Sequence, residues 1–328
     1  MKHFLAADLG GTKILFQLTT EKNNVVLEKE VVSAQFTGFD MALVDFLAEE
    51  KIKGLEIESA CFAVAGPVSG RNASITNLPW QINADALVKQ FKIKHIHLCN
   101  DFEAVAQGIS CLADDEIITL QQGEEVEHAP RAVIGAGTGL GQAFMLPEAD
   151  GWRVLATEGG HTDFAPTNSL EIALLEFMLE KFEHVSYERV VSGIGLVSIY
   201  EFLLIHHRYN ENTALQQAII SADAAETISQ YALDKKDIIA EQALDLFIKI
   251  YGSQAGNLAL TVLPMAGLYI AGGIAAKNVQ RFIDGPFLNA FLSKGKMAEL
   301  MHKIPVRLIL QAKVGLLGAS LLARQYPV

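Results

Sequence analysis

The sequence predicts an α/β fold built from two related lobes, on three observations. Strand-like apolar runs alternate with segments of helical apolar spacing. A strand–glycine turn–strand pattern occurs twice, as "FLAADLGGTKILFQL" (4–18) and "RAVIGAGTGLGQAFML" (131–146), with a Gly-Thr pair in both turns. The chain has 328 residues, 50% of them hydrophobic, which is enough for more than one core.

The elements follow in order. The opening reads as strand, turn, strand, with a third strand in "NNVVLEKEVVSA". "DMALVDFLAEEKI" carries helical spacing, and "IESACFAVAGPVSG" is a strand ending in a Gly-Pro turn. "DALVKQF" is helical, and "KHIHLCND" is a strand that ends on two polar residues. After the repeated pattern at 131, residues 169 to 263 read as mostly helical, including "SLEIALLEFMLEKF" and "DIIAEQALDLFIKIYGSQAGNLAL". Between Lys249 and Lys277 there is no charge, a length that would span a bilayer. Gln254, Asn257, Pro264 and four glycines from Gly256 to Gly273 interrupt it, which favours a buried helix closed by Pro264 and a buried strand, "GLYIAGG". "PVRLIL" is the last strand and "GLLGASLLARQY" the last helix. No Pro/Ser linker separates the lobes. With the last helix returned to the first lobe, the expected division is 1–110 plus 303–328 as a small domain and 111–302 as a large one enlarged by helices.

The net charge of −12, without a dense Lys/Arg run, argues against a nucleic-acid partner. It leaves ATP open, since backbone N–H groups and Mg²⁺ hold phosphates locally. Cys61, Cys99 and Cys111 show no metal-ligand spacing, and an odd count without a framework suggests a reducing, intracellular setting. The N-terminal apolar run passes directly into the glycine turn, so no signal peptide is expected, and no membrane partner is expected either.

Several groups of residues carry candidate chemistry. Gly10, Gly11 and Thr12, and likewise Gly137, Thr138 and Gly139, expose backbone N–H groups that suit a phosphate, each turn adding a Thr hydroxyl. Asp8, at the end of its strand, would hold Mg²⁺ directly or through water. Two ordinary hairpins are the alternative. Neither turn is a Walker loop or a dinucleotide fingerprint, because each leads into a second strand. Gly272 and Gly273 follow a strand and would let a base or sugar lie on bare backbone, or would serve strand–helix packing. Asn100 and Asp101 end a strand at the carboxyl edge where α/β sheets bind ligands. Asp101 would serve as general base or as a helix N-cap for "FEAVAQGIS". A weakly basic carboxylate suffices for phosphoryl transfer through a loose transition state. In "TEGGHTDFAP", Glu158 and His161 flank two glycines and suit adjacent sugar hydroxyls; a structural histidine is the alternative, and no further His or Cys stands at metal-ligand spacing. Glu188 in "YERVVSG" reads locally as a helix N-terminal acid.

Taken together, "DLGGTK", "CND", "GAGTGLG", "EGGHTDFAP", "ERVVSG", "GNLAL" and "IAGG", with "GLLGA" near the end, resemble the bacterial glucokinase family in order and over almost the whole chain. The resemblance implies a two-lobed actin-like (ribonuclease H-like) ATPase fold with a duplicated α/β core and an interlobe cleft. It implies phosphorylation of glucose at the 6-hydroxyl by Mg·ATP, with Asp101 as base. It further implies sugar contacts from Asn100, Asp101, Glu158, His161 and Glu188, phosphate grips at Gly10–Thr12 and Gly137–Gly139, and an adenosine side at Gly272–Gly273. A homodimer in the cytoplasm is part of the same implication. Lys13 stands where this family commonly has Asn, as in the neighbouring repressor/open-reading-frame/kinase group. That group's Cys-rich zinc motif is absent after "GGHTDFAP", so the zinc-free type, with no structural zinc, is expected. Rival readings are a kinase for mannose, fructose or an N-acetylhexosamine, a sugar-sensing protein on the same fold, and a filament-forming ATPase.

Overall fold

The computed structural model describes residues 2–149, 151–207 and 212–325. Tyr326, the last residue of the expected final helix, lies outside them. The described residues cluster into two compact units. The first holds 2–114, 154–156 and 313–325, and the second 115–149, 151–153 and 157–312 except 208–211.

In the first unit, β1 (His3–Leu9), β2 (Lys13–Thr20) and β3 (Val25–Val32) form an antiparallel meander. α1 (Phe39–Leu47) leads to β4 (Ile57–Val64), which pairs parallel with β1. Three very short strands, β5 (Val68–Ser69), β6 (Asn72–Ser74) and β7 (Gln81–Asn83), make a separate small sheet. α2 (Ala84–Phe91) is capped by the Asn83 side chain on the Ala86 N–H. β8 (His95–Asn100) pairs parallel with β4 and feeds α3 (Asp101–Gly108). The sheet order is β3-β2-β1-β4-β8. On one face, α1 buries Phe39, Ala42, Leu43 and Phe46, a helical stripe. Phe16 stacks on Phe46 at 4.8 Å, and Phe39 meets the edge of Phe62 at the same distance.

The second sheet adds β9 (Ile117–Gln121), the hairpin β10 (Arg131–Ala136) and β11 (Leu140–Glu148), and β12 (Gly151–Thr157). Helices make up most of the rest: α4 (Ser169–Leu179), α5 (Tyr187–Val190), α6 (Gly193–His207), α7 (Thr213–Ser221), α8 (Ala224–Leu233) and α9 (Ile238–Val262), then, after β13 (Leu268–Ala271), α10 (Gly273–Lys277), α11 (Val279–Ile283) and α12 (Pro286–Leu292). α13 (Ala298–Lys303) precedes β14 (Val306–Ile309). The sheet order is β12-β11-β10-β13-β14-β9. Without β9, this repeats the first sheet position for position: a hairpin, a third strand on its outer side, and two parallel strands on the other. The duplication expected from two matching glycine turns is therefore present in strand order.

The uncharged stretch after Lys249 is the buried end of α9 followed by β13. Asp237 caps α9 on the Ala240 N–H at 2.7 Å; Leu263 ends it in the left-handed region at φ 51°, and Pro264 prevents continuation. Among the described residues, no helix is long and apolar enough to cross a membrane.

The last helix, α14 (Val314–Gln325), packs with Phe4, Ala6, Cys61, Ala63, Cys99 and Ala104 over the other face of the first sheet. Its approach to α3 is backbone-close. A Cβ on Gly318 would stand 1.8 Å from the Ala104 carbonyl oxygen, so only glycine fits there.

Candidate active site

The first unit supplies Asp8, the Gly10–Thr12 turn, Asn100 and Asp101. β1 and β2 do form a hairpin, and the turn between them is pinned from below. The Gly10 N–H donates to the Lys13 carbonyl at 2.9 Å, the Ser33 hydroxyl to the Gly10 carbonyl at 3.1 Å, and the Ser33 N–H to the Thr12 carbonyl at 2.9 Å. Among the described residues the N–H groups of Gly11 and Thr12 have no acceptor. Lys13 points to Glu30 on β3, Nζ to Oε1 2.6 Å, in an exposed ion pair. Asp8 lies against the first turn of α14, where a Cβ on Gly315 would come within 2.9 Å of Oδ2. Burial pushes its carboxyl up to about 6. No cationic side chain pairs with it among the described residues. A desolvated carboxylate without a counter-charge is a hard oxygen donor suited to Mg²⁺.

The N-cap of α3 is Asn100, not Asp101. Asn100 Oδ1 accepts from the Phe102 N–H at 2.9 Å, and its Nδ2 donates to the Gly66 carbonyl at 3.3 Å. Asp101 is the first residue of the helix and also accepts from the Phe102 N–H, at 3.0 Å. Both amide ends of Asn100 are thus engaged locally, which fixes where the next side chain leaves the backbone.

The second unit supplies the Gly137–Gly139 turn, Glu158, His161, Glu188, Gly272 and Gly273. Within the turn, the Gly137 N–H donates to the Gly139 carbonyl at 2.8 Å, and the Gly193 N–H donates to the Gly137 carbonyl at 2.9 Å. The N–H groups of Thr138 and Gly139 have no acceptor among the described residues, and the space above Gly137 is open. Glu188 joins this turn to the "EGGH" segment. Its Oε2 accepts from the Leu140 N–H at 2.9 Å, and its Oε1 lies 3.8 Å from His161 Nδ1. His161 Nε2 is 3.8 Å from Glu158 Oε2. An imidazole is therefore held between two carboxylates, with Glu158 and His161 mostly exposed. The segment is tied down by the Tyr187 N–H to the Thr162 carbonyl at 2.9 Å, while Asn257 Nδ2 of the "GNLAL" stretch donates to the Tyr187 hydroxyl at 3.0 Å. Ser186 caps α5, so Glu188 sits in that helix's first turn, where an acid is favoured as well as engaged.

Gly272 has φ 90°, and a Cβ there would lie 2.4 Å from the Ala136 carbonyl. It therefore packs against the strand end that enters the Gly137 turn, while the space at Gly273 is open.

Two residues at this site escaped the sequence reading. Tyr251, fully buried on α9, accepts from the Ala136 N–H at 3.1 Å and faces the Ile134 carbonyl at 3.2 Å and the Ala271 carbonyl at 3.4 Å. One phenol thus fastens the ends of β10 and β13, one residue before each glycine turn. Burial raises its pKa, so it stays a neutral donor. Gln142 is buried beneath the Glu158–Gly160 segment, its Oε1 2.4 Å from where a Cβ on Gly159 would stand, and its Nε2 has no hydrogen-bond partner among the described residues. A glutamine inside the apolar run of β11 was the available signal.

The structure thus gathers Glu158, His161, Glu188, the Gly137 turn and Gly272 within one unit, and places Asp8, the Gly10 turn, Asn100 and Asp101 in the other. A family model described as Glucokinase matches residues 5–326. The glucokinase of Nostoc sp. is 42% identical over 340 aligned residues, covering 98% of this chain and 99% of its own. Among solved structures, a glucokinase from an Antarctic psychrotroph superposes with a TM-score of 0.81 at 30% identity, covering 99% of each chain. The fold is also that of the Balamuthia mandrillaris glucokinase, solved in complex with glucose, with a TM-score of 0.84 at 23% identity over 98% of this chain and 94% of that one. The architecture is the actin-like ATPase fold of sugar kinases, and the chain belongs to the glucokinase family.

Proposed function

We propose that this chain phosphorylates glucose at its 6-hydroxyl with ATP. The observation that carries the reading is the repeated hairpin turn: both sheets present a glycine turn at the same strand position, each with two backbone N–H groups left without an acceptor. Such groups are suited to phosphate oxygens. The family membership supplies the acceptor.

In this reading Asp101 accepts the proton of the 6-hydroxyl as the phosphoryl group transfers, late in a loose transition state. Asn100, Glu158, His161 and Glu188 orient the remaining hydroxyls. His161, set between two carboxylates, offers donor and acceptor to adjacent sugar groups. Gly10–Thr12 and Gly137–Gly139 hold phosphate oxygens, and Gly272–Gly273 give the adenosine bare backbone to lie on. Asp8 is the residue that would hold Mg²⁺, directly or through water; when bound, the ion offsets phosphate charge. The family likeness also supports a homodimer acting in the cytoplasm, and sedimentation of the free chain checks the assembly.

The test is an ADP-release assay with Mg·ATP and a panel of hexoses, with the product's phosphorylated position read by NMR. Glucose 6-phosphate is expected, with mannose, fructose and N-acetylhexosamines slower. Turnover of another hexose in preference to glucose overturns the substrate assignment. Tight glucose binding without turnover of any sugar would identify a sensor. Sugar-independent ATP hydrolysis, with light scattering that rises on ATP addition, would identify a filament former.

A further inference from the structure

Behind Asp101, the fold brings Cys61 to two side chains that stand 36 and 38 residues further along the chain. His97 and Cys99 are two apart on β8, so they share one face of the sheet. Cys61 on the neighbouring β4 stands directly opposite His97 in the parallel register. Its side chain therefore joins the same face. Cys61 Sγ and Cys99 Sγ are 3.6 Å apart, and the two sulfurs and one imidazole nitrogen lie within 4.8 Å of one another. Cys61 and Cys99 are buried under α14, beside Leu316 and Ala319, whereas His97 is half-buried and gives the group its edge toward solvent.

We propose that Cys61, His97 and Cys99 form a binding site for one thiophilic divalent cation of the zinc class, tying β4 to β8 just before the Asn100–Asp101 corner. The sulfur spacing matches the edge of a tetrahedral zinc thiolate, about 3.8 Å for Zn–S bonds of about 2.3 Å. The imidazole nitrogen, within 4.8 Å of both sulfurs, is the third ligand. Charge also balances. Each thiol releases its proton to solvent as the cation binds, and two thiolates with a neutral imidazole cancel the double charge. A buried centre of zero net charge avoids the penalty of an isolated ion. A monovalent ion would leave a net negative charge there. The apolar residues around the two sulfurs favour soft thiolate ligation over the hard, hydrated Mg²⁺ that a nucleotide site uses. This site is separate from the zinc motif absent after "GGHTDFAP", and strand register, not spacing along the chain, brings its ligands together.

The test uses the reduced, chelator-dialysed full chain and Co²⁺ as probe. One equivalent is expected to give a thiolate-to-cobalt charge-transfer band, which cobalt bound only to oxygen ligands does not produce. Cys61→Ser and Cys99→Ser should abolish the band, and His97→Asn should weaken binding by roughly tenfold or more. Cys111→Ser, which alters the exposed third cysteine, should leave it unchanged. Cadmium NMR on the unsubstituted chain covers the case in which a core variant fails to fold, and a resonance typical of two sulfur ligands is expected. Zn²⁺ should raise the midpoint of unfolding by mass action. The proposal is overturned by the absence of a thiolate band, by a band that survives both core cysteine substitutions, or by a cadmium resonance typical of oxygen ligands alone. It also fails if oxidation joins Cys61 to Cys99 while cobalt gives no band, since the pair is then a redox couple.

Discussion

Asp101 stands one residue past a cap whose two amide ends are both engaged, so its position is set by Asn100 rather than by its own contacts alone. Replacing Asp101 by Ala should lower kcat about 10²–10⁴-fold, the usual contribution of a general base, with the unfolding midpoint nearly unchanged. A near-normal kcat in that variant would remove the base assignment. Asp8 makes a different prediction, because its carboxyl is pushed up to about 6 from an ordinary value of 3.8. In the cation-free chain the native state binds this proton more tightly than the unfolded chain does. Its contribution is therefore full below about pH 4, and is lost as pH rises to about 6 and beyond. The upper bound is about 3 kcal/mol, reduced by the side chain's partial exposure. Asp8→Asn should flatten the pH dependence of urea stability across that window and raise stability at neutral pH, while activity falls. An unaltered slope would mean the proton resides elsewhere. The positions of Asp8, Asp101 and the glycine turns at strand ends were legible because polar residues and glycines interrupt apolar runs there. Tyr251 and the Cys61–His97–Cys99 group were not. Tyr251 acts on carbonyls and an N–H that any residue would supply, and the cysteine group exists only through strand register.

At the scale of elements, α9 and α14 pack behind the candidate site residues of their own units. Tyr251→Phe removes the hydroxyl that receives the Ala136 N–H and faces carbonyls of both β10 and β13. The expected cost is about 1–3 kcal/mol, because a buried N–H loses its acceptor. Since both glycine turns begin one residue on, KM for ATP should rise more than kcat falls, as steady-state kinetics would reveal. A purely structural phenol would lower stability and leave KM for ATP alone. On the other side, Gly318→Ala forces a Cβ into the Ala104 carbonyl. α3 must then shift along with Asp101 at its start. Stability should fall by about 1–3 kcal/mol by urea titration, accompanied by a drop in kcat. Retained stability would show that the two helices separate without strain. Most elements could be read from apolar periodicity, because β1–β4, β8, β10, β13 and α9 are long or strongly patterned. The sheet of Val68–Ser69, Asn72–Ser74 and Gln81–Asn83 could not. Strands of two or three residues have no period to detect, and they exist by pairing with one another.

The whole molecule is a sheet design used twice, and each copy closes its own core. Phe16, Phe39, Phe46 and Phe62 belong to the first, and Tyr200, Phe247, Tyr251, Phe282, Phe287 and Phe291 to the second. Two separate cores of this size need not melt as one cooperative block. The chain's two tryptophans report them individually: Trp80 is buried in the first core, and Trp152 on β12 lies under the Arg131 guanidinium at 4.2 Å. Urea unfolding of Trp80→Phe and Trp152→Phe, each followed by the remaining indole, should give midpoints that do not coincide. Gly318→Ala should then move the Trp80 transition and leave that of Trp152 nearly in place, because the Ala104 contact lies wholly within the first unit. Superimposable curves that shift together would show that the two copies fold as one cooperative unit, and the duplication would then be a matter of topology rather than of stability.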